Sequence, residues 1–240
     1  VNMNFELTEE HLAVKEAARD FAQNVLKPGV IERDNLQKFP AEEVKQLGEL
    51  GFMGMMVDPK YGGSGMDTLS YVLAMEEISK VDAYTSVCMS VNNSLVCWGL
   101  ETFGSEEQKQ KYLPEICKGN LYFCIGMSEP DSGSDLSATR TKAEKVEGGW
   151  KINGTKLWTT NAHRCHYMIA LVRTQAGSER QAGLSQIIID LKAPGVTIRP
   201  IKDLAGESHF NEVVFDNVFA ADQQLIGQEG NGWPRSEEHT

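Results

Sequence analysis

The hydrophobic pattern changes period once along the chain. Through the first half, apolar residues recur every three or four positions; beyond about residue 120 they alternate or run in short blocks. Val14, Ala18, Phe21, Ala22 and Val25 predict a first helix, capped by Thr8 with Glu9 and Glu10 in its first turn and stopped by Pro28-Gly29. Pro40 suits the first position of a second helix, with Val44, Leu47 and Leu50 on its buried face and Gly51 past its end. Pro59 to Asp67 reads as a loop: its Gly63-x-Gly65 lacks both the third glycine and the strand–turn–helix context of a dinucleotide fingerprint. Asp67 or Thr68 caps a helix whose stripe is Leu69, Val72, Leu73, Met75 and Ile78. Ala83 to Phe103 predicts a buried helix interrupted by Asn92 and Asn93. Buried amides need partners, so that pair marks either an inter-helix hydrogen bond or a pocket wall. Ser105 and Gln108 form a capping box for a helix ending around Pro114.

After Gly119 the strand pattern begins. Leu121 to Ile125 reads as a strand, and Trp150 to Trp158 as a hairpin turning at Asn153-Gly154. Tyr167–Val172, Ile187–Leu191, Val196–Ile201 and Glu212–Phe215 continue it. Helices followed by strands predict an α+β multidomain chain: an all-α domain over residues 1–120, then a small β-barrel or sandwich over 121–233.

Composition narrows the function classes. With 41% hydrophobic and 24% charged residues, the 240-residue chain is that of a globular protein, and no apolar run reaches the roughly 18 residues of a membrane span. A formal net charge of −11 argues against nucleic acid or an anionic membrane as a general partner. The N-terminus lacks a signal-peptide pattern, which predicts a cytoplasmic protein, or one of the mitochondrial matrix in a eukaryote. The five cysteines form no C-x-x-C pair, and their odd number fits a reducing compartment. His163-Arg164-Cys165-His166 lacks metal-ligand spacing and reads as the start of a strand. Gly149 to Lys156 resembles a P-loop only superficially, and the two glycosylation sequons carry no weight without a secretory signal.

The stretch GMSEPDSGSD, Gly126 to Asp135, is too rich in small residues for a helix and too acidic for a core strand. Its serine hydroxyls donate or accept, while its backbone N–H groups only donate. That mixture suits a ligand with carbonyl and ring-nitrogen acceptors plus an N–H, such as an isoalloxazine ring. Glu129, beside Pro130, reads as a loop-fixing acceptor more than a base.

GMSEPDSGSDLSA resembles, along its length, a signature of the acyl-CoA dehydrogenase family. LWTTN, Leu157 to Asn161, resembles that family's flavin-face segment, and less specific matches follow in family order from about residue 4 to 233. The resemblance implies FAD as cofactor and an acyl-CoA thioester as substrate. It implies fatty-acid or branched-chain oxidation to a trans-2-enoyl-CoA, with electrons passed to an electron-transfer flavoprotein. It also implies a homodimer or homotetramer at full length. Residue by residue, Ile125, Met127, Ser128 and Ser134 match the segment that hydrogen-bonds the flavin, and Ser134 also the position that touches acyl-CoA. Trp158 matches the aromatic packed on the flavin, and Thr159 and Thr160 the hydroxyl segment near its N5. Val91, Leu95 and Trp98 are candidates for the acyl-chain wall.

The chain departs from the family in three places. Its C-terminal helical bundle, which carries the catalytic carboxylate, is missing, so no residue is assigned as the base. The isolated chain is therefore expected to bind flavin weakly and to be inactive. Ala162 stands where a glycine often follows Thr-Asn, and so must avoid positive φ. Pro234 to Thr240, PRSEEHT, fits no helix and is expected to be a non-native tail; Val1 is consistent with a truncated reading frame. The alternatives are an acyl-CoA oxidase or flavin monooxygenase on the same scaffold, which use oxygen, and a non-catalytic flavin- or acyl-CoA-binding module.

Overall fold

A computed structural model describes residues 5–234; Val1 and residues 235–240 of the expected tail lie outside them. The described residues form two compact units. One runs to Trp98 and takes in Leu113–Asn120; the other comprises Gly99–Tyr112 and the chain from Leu121 onward. Among the described residues no helix is long and apolar enough to cross a membrane.

The helical unit begins with α1 (Glu9–Phe21), whose N-cap Thr8 accepts from the His11 N–H. The expected stop at Pro28-Gly29 is not observed. The chain passes through a π-helical turn (Ala22–Leu26) and a 3₁₀ turn (Lys27–Gly29) directly into α2 (Val30–Asn35). Pro28 sits in the first turn of the 3₁₀ segment, where its missing N–H is not called on. α3 (Ala41–Glu49) ends at Gly51, φ +81°, as its sequence predicts. Arg33 then stitches the unit: its guanidinium, 8% exposed, reaches Asp82 at 2.8 Å, Glu43 at 2.9 Å and the Leu26 carbonyl at 2.8 Å.

α4 (Thr68–Ser79) is capped by Asp67, and α5 (Ala83–Ser90) by Asp82. α5 continues through a π-helical segment (Val91–Cys97) into α6 (Trp98–Phe103). There the side chains of Asn92, Asn93 and Ser94 donate to the carbonyls four residues back, at 3.2, 2.9 and 2.8 Å. A π segment shifts its own N–H groups one residue further back, which frees such carbonyls for side chains. Asn93 also accepts from the Met55 N–H at 2.7 Å and donates to the Phe52 carbonyl at 2.8 Å. Of the two readings of the asparagine pair, Asn93 thus answers to the hydrogen-bonding one. α7 (Glu106–Cys117) has the Ser105–Gln108 capping box, at 3.0 and 3.1 Å, but runs past its expected end at Pro114. Bonds from the Lys118 and Gly119 N–H groups to the Pro114 and Ile116 carbonyls close its last turn.

Glu77, 4% exposed, is held by Arg19 at 3.1 Å and Lys80 at 2.9 Å. The Arg19 hydrogen bond, with Lys80 behind it, outweighs burial and lowers its pKa to about 2. The folded value lies below the unfolded value of about 4.3, so this stabilisation is complete above that pH and is lost as pH falls toward 2. Glu77→Gln is expected to lower the melting temperature by a few degrees at pH 7 and to have little effect near pH 2. Calorimetry at both pH values checks it, and an equal shift at both contradicts it.

The strands of the second unit form one eight-stranded mixed sheet: β1 (Phe123–Gly126), β2 (Lys142–Val146), β3 (Gly149–Thr160), β4 (Tyr167–Arg173), β5 (Leu184–Asp190), β6 (Val196–Ile201), β7 (Phe210–Ala221) and β8 (Leu225–Ile226). The order is β6-β7-β3-β2-β4-β5-β8, with β1 parallel to β4. The expected hairpin at Asn153-Gly154 is not formed. β3 runs straight through both residues, and the hairpin is β2–β3, turning at Glu147-Gly148 with Gly148 at φ +73°. Asn153-Gly154 marks a bulge against β7 instead, where Asn153 Oδ1 accepts from the Asn217 N–H at 2.8 Å. Bulges shift the inward parity. On β7 the core residues are Val213 and Phe215, then Val218 and Ala220. Met168, Ala170 and Val172 of β4, Ile187 and Ile189 of β5, and Trp150 and Ile152 of β3 complete that core.

Candidate functional site

β1 delivers the chain into the loop Gly126–Asp135, and a tight turn folds it back. The Glu129 and Ser132 N–H groups exchange bonds with each other's carbonyls at 2.8 and 3.1 Å. The Ser132 hydroxyl donates to the Asp135 carbonyl at 2.8 Å. The Glu129 carboxylate, 7% exposed, accepts from the Arg140 N–H (2.7 Å), the Thr141 N–H (3.0 Å) and Lys156 Nζ (2.9 Å). Burial pushes its pKa up, but Lys156 and these hydrogen bonds outweigh it and hold the carboxyl below its usual range. Both oxygens accept from the fold, so Glu129 fixes the loop. The exposed Asp131–Arg140 pair, at 3.3 Å, adds little.

β3 supplies the other wall. Simple alternation would put Trp150, Ile152, Lys156 and Trp158 on one face, and the first three are buried. A second bulge between Lys156 and Thr159 breaks the series. Trp158 adopts φ +60°, uncommon for a bulky residue, and its indole turns outward, 57% exposed and edge-on to Phe210 at 6.3 Å. Thr159 turns inward instead, 2% exposed, leaving Trp158 and Thr160 on the outer side of the strand. Beneath them Asn211 Nδ2 donates to the Thr159 carbonyl and to His163 Nδ1, each at 3.0 Å. Burial, then the neighbouring Arg164, lowers the His163 pKa, so the ring accepts as neutral imidazole. Asn161 takes the positive φ, +57°, that follows the threonines; Ala162 does not, and is fully buried.

The two walls are joined directly, the Leu157 N–H donating to the Ser128 carbonyl at 2.8 Å. The structure thus brings Ile125, Met127 and Ser128 beside the Trp158–Thr160 segment, with Ser134 exposed on the same loop. Val91, Leu95 and Trp98 belong to the helical unit, half-buried at positions four and three residues apart. Sequence reasoning missed Lys156, completely buried, whose position in the alternation with Trp150 and Ile152 was the available signal. It also missed Arg173, whose guanidinium gathers the carbonyls of Ser137, Thr139, Arg180 and Ala182 at 2.9–3.1 Å beside a cleft of about 540 Å³. Among the described residues one group of potential metal ligands converges, Asp203, Glu207 and His209.

These features fit a flat, polar-edged ligand. The Ser128 and Ser134 hydroxyls form no hydrogen bond to other described residues. A side-chain carbon built on Gly133 would meet nothing within 4 Å, so the loop faces open space.

Comparison with known proteins agrees. The N-terminal domain of acyl-CoA dehydrogenases matches residues 8–120, and the middle domain of the same enzymes matches residues 124–218. The short-chain specific acyl-CoA dehydrogenase of Clostridium acetobutylicum is 36% identical over 234 residues, 97% of this chain and 62% of that one. The structure of butyryl-CoA dehydrogenase from Megasphaera elsdenii superposes with a TM-score of 0.91 at 31% identity, over 98% of this chain and 63% of that one. The FAD complex of PigA superposes with a TM-score of 0.91 at 28% identity, over 98% and 62%. The chain therefore spans about three-fifths of the length of these relatives. With both domain matches in order and the signature loop folded as a cradle, the chain belongs to the acyl-CoA dehydrogenase family, of which it carries the N-terminal and middle domains.

Proposed function

We propose that this chain is the flavin-binding part of an FAD-dependent acyl-CoA dehydrogenase, which converts an acyl-CoA thioester to the trans-2-enoyl-CoA. The observation that carries it is the outward indole of Trp158, held on a bulge at φ +60° beside a loop whose Ser128 and Ser134 hydroxyls bond to no other described residue. A strained aromatic exposed to this degree is costly in a free surface and useful against a planar ring. When bound, FAD supplies the hydride acceptor. The chain's own residues do the rest of the local work. Ile125, Met127 and Ser128 present backbone and hydroxyl groups to the flavin's polar edge, Trp158 covers a face, Thr160 places its hydroxyl near the reacting end, and Thr159, turned inward, holds the segment through its carbonyl, which accepts from Asn211. Ser134 reaches toward acyl-CoA. Residues 1–120 serve as the helical domain and 121–233 as the sheet domain, and the complete protein is a homo-oligomer passing electrons to an electron-transfer flavoprotein.

Titration of FAD into the chain, followed by flavin fluorescence, tests the cradle. Saturable quenching is expected, with Trp158→Ala and Ser128→Ala each weakening binding about five- to tenfold, the equivalent of roughly 1–1.4 kcal/mol per contact. Absence of saturable binding at millimolar FAD, or indifference to both substitutions, contradicts the assignment.

A further inference from the structure

Lys156 is an expensive group for its position. It is fully buried on the face of β3 that carries Trp150 and Ile152, where an apolar side chain would desolvate no charge. Neutralising Glu129 accounts for one of its two bonds, at 2.9 Å. The second bond of the ammonium goes elsewhere, to the Met127 carbonyl at 2.9 Å.

That bond fixes a peptide plane. In a trans peptide the carbonyl and the following N–H point to opposite sides, and the described residues contain no cis bond. Drawing the Met127 carbonyl back to Lys156 therefore turns the Ser128 N–H to the other side of the loop. The next plane is fixed as well, since the Ser128 carbonyl accepts from the Leu157 N–H and the Glu129 N–H donates to the Ser132 carbonyl, both at 2.8 Å. Two adjacent residues of one strand thus set two adjacent peptides of the loop. The Ser128 N–H donates to no other described residue.

We propose that Lys156 is a positioning residue of the flavin site: by holding the Met127 carbonyl at the back of the loop, it presents the Ser128 N–H and hydroxyl together to an acceptor edge of the flavin. The inference rests on the flavin reading of the cradle, and the ammonium itself does not touch the ligand.

The test is an FAD titration of the 240-residue chain, observed by amide ¹⁵N–¹H spectra. Lys156→Met alone strands the Glu129 charge, so the informative variant is Glu129→Gln with Lys156→Met. Glu129 holds the Arg140 and Thr141 N–H groups through separate oxygens, so the amide oxygen of Gln keeps one of them, a loss that the Glu129→Gln single variant shares and controls for. Expected is a folded double variant whose Ser128 amide resonance has moved in the free protein and whose FAD affinity is at least tenfold weaker, with Glu129→Gln alone changing affinity less than threefold. A folded double variant that binds FAD as tightly as the unsubstituted chain overturns the proposal. So does a Glu129→Gln variant that loses as much affinity as the double one. Should the double variant not fold, the unsubstituted chain decides: FAD that shifts the Trp158 resonances and leaves the Ser128 amide unmoved overturns the proposal, and a Ser128 shift of matching affinity supports it. FAD that shifts neither overturns the flavin reading itself and the inference with it.

Discussion

Lys156→Met is expected to lower the unfolding free energy by about 3–5 kcal/mol at pH 7, the cost of leaving one half of a buried ion pair unpaired. Lys156 is fully buried and Glu129 nearly so, 2.9 Å apart. Without the ammonium, burial of Glu129 is opposed only by two N–H donors, so its pKa rises. The variant's deficit then shrinks as pH falls and Glu129 protonates, and urea melts at pH 5 and pH 7 should show a smaller loss at the lower value. The unsubstituted protein has a complementary alkaline signature. Burial, partly offset by Glu129, lowers the Lys156 pKa to about 8. The unfolded value is about 10.4, so between those values the unfolded chain binds more protons and this residue's contribution makes stability rise with pH. A loss below about 1 kcal/mol at pH 7, or a deficit that grows in acid, would show that the pair does not hold the loop.

Gly154→Ala is expected to cost about 3 kcal/mol, combining a backbone conformation reserved for glycine with overpacking. Gly154 has φ +150°, and an added Cβ would stand 2.5 Å from Thr141 Oγ1 and 2.7 Å from Thr141 Cα. The hydroxyl can rotate away, but the backbone carbon cannot. Because the Thr141 N–H holds Glu129, the displacement also reaches the cradle, and FAD affinity should fall with stability. Asn153→Ala, at the neighbouring half-buried position, removes one side-chain acceptor from Asn217 and should cost only about 1 kcal/mol. Denaturant melts of the two variants separate these expectations; equal losses would mean that the bulge is not anchored where Gly154 meets Thr141.

Some features of the site were open to reading from residues and others were not. The role of Glu129 as a loop-fixing acceptor was legible, since a carboxylate next to a proline in a turn commonly serves backbone N–H groups nearby. That its principal charge partner is Lys156 was not, because the two are 27 residues apart and meet only through the packing of the loop onto β3. The Asn153-Gly154 signal misled for a related reason. Locally it favours a two-residue turn, but β3 gains a full antiparallel partner in β7 by running straight through, and the glycine serves a bulge and a close approach instead.

Helices with their caps, the Ser105–Gln108 box, the switch from period 3.6 to period 2 and the family signature in the Gly126–Asp135 loop all rest on residues within a few positions of each other, and the sequence by itself determined them. The tertiary structure alone decided that the chain stays helical past Pro28, that Lys156 is buried as an ion, and that Trp158 faces outward while Thr159 faces in. Each depends on a strand register, a bulge or a charge partner supplied from a distant part of the chain. Period-two alternation tells which side chains share a face only until a bulge shifts the count, and where a bulge falls is set by pairing with another strand.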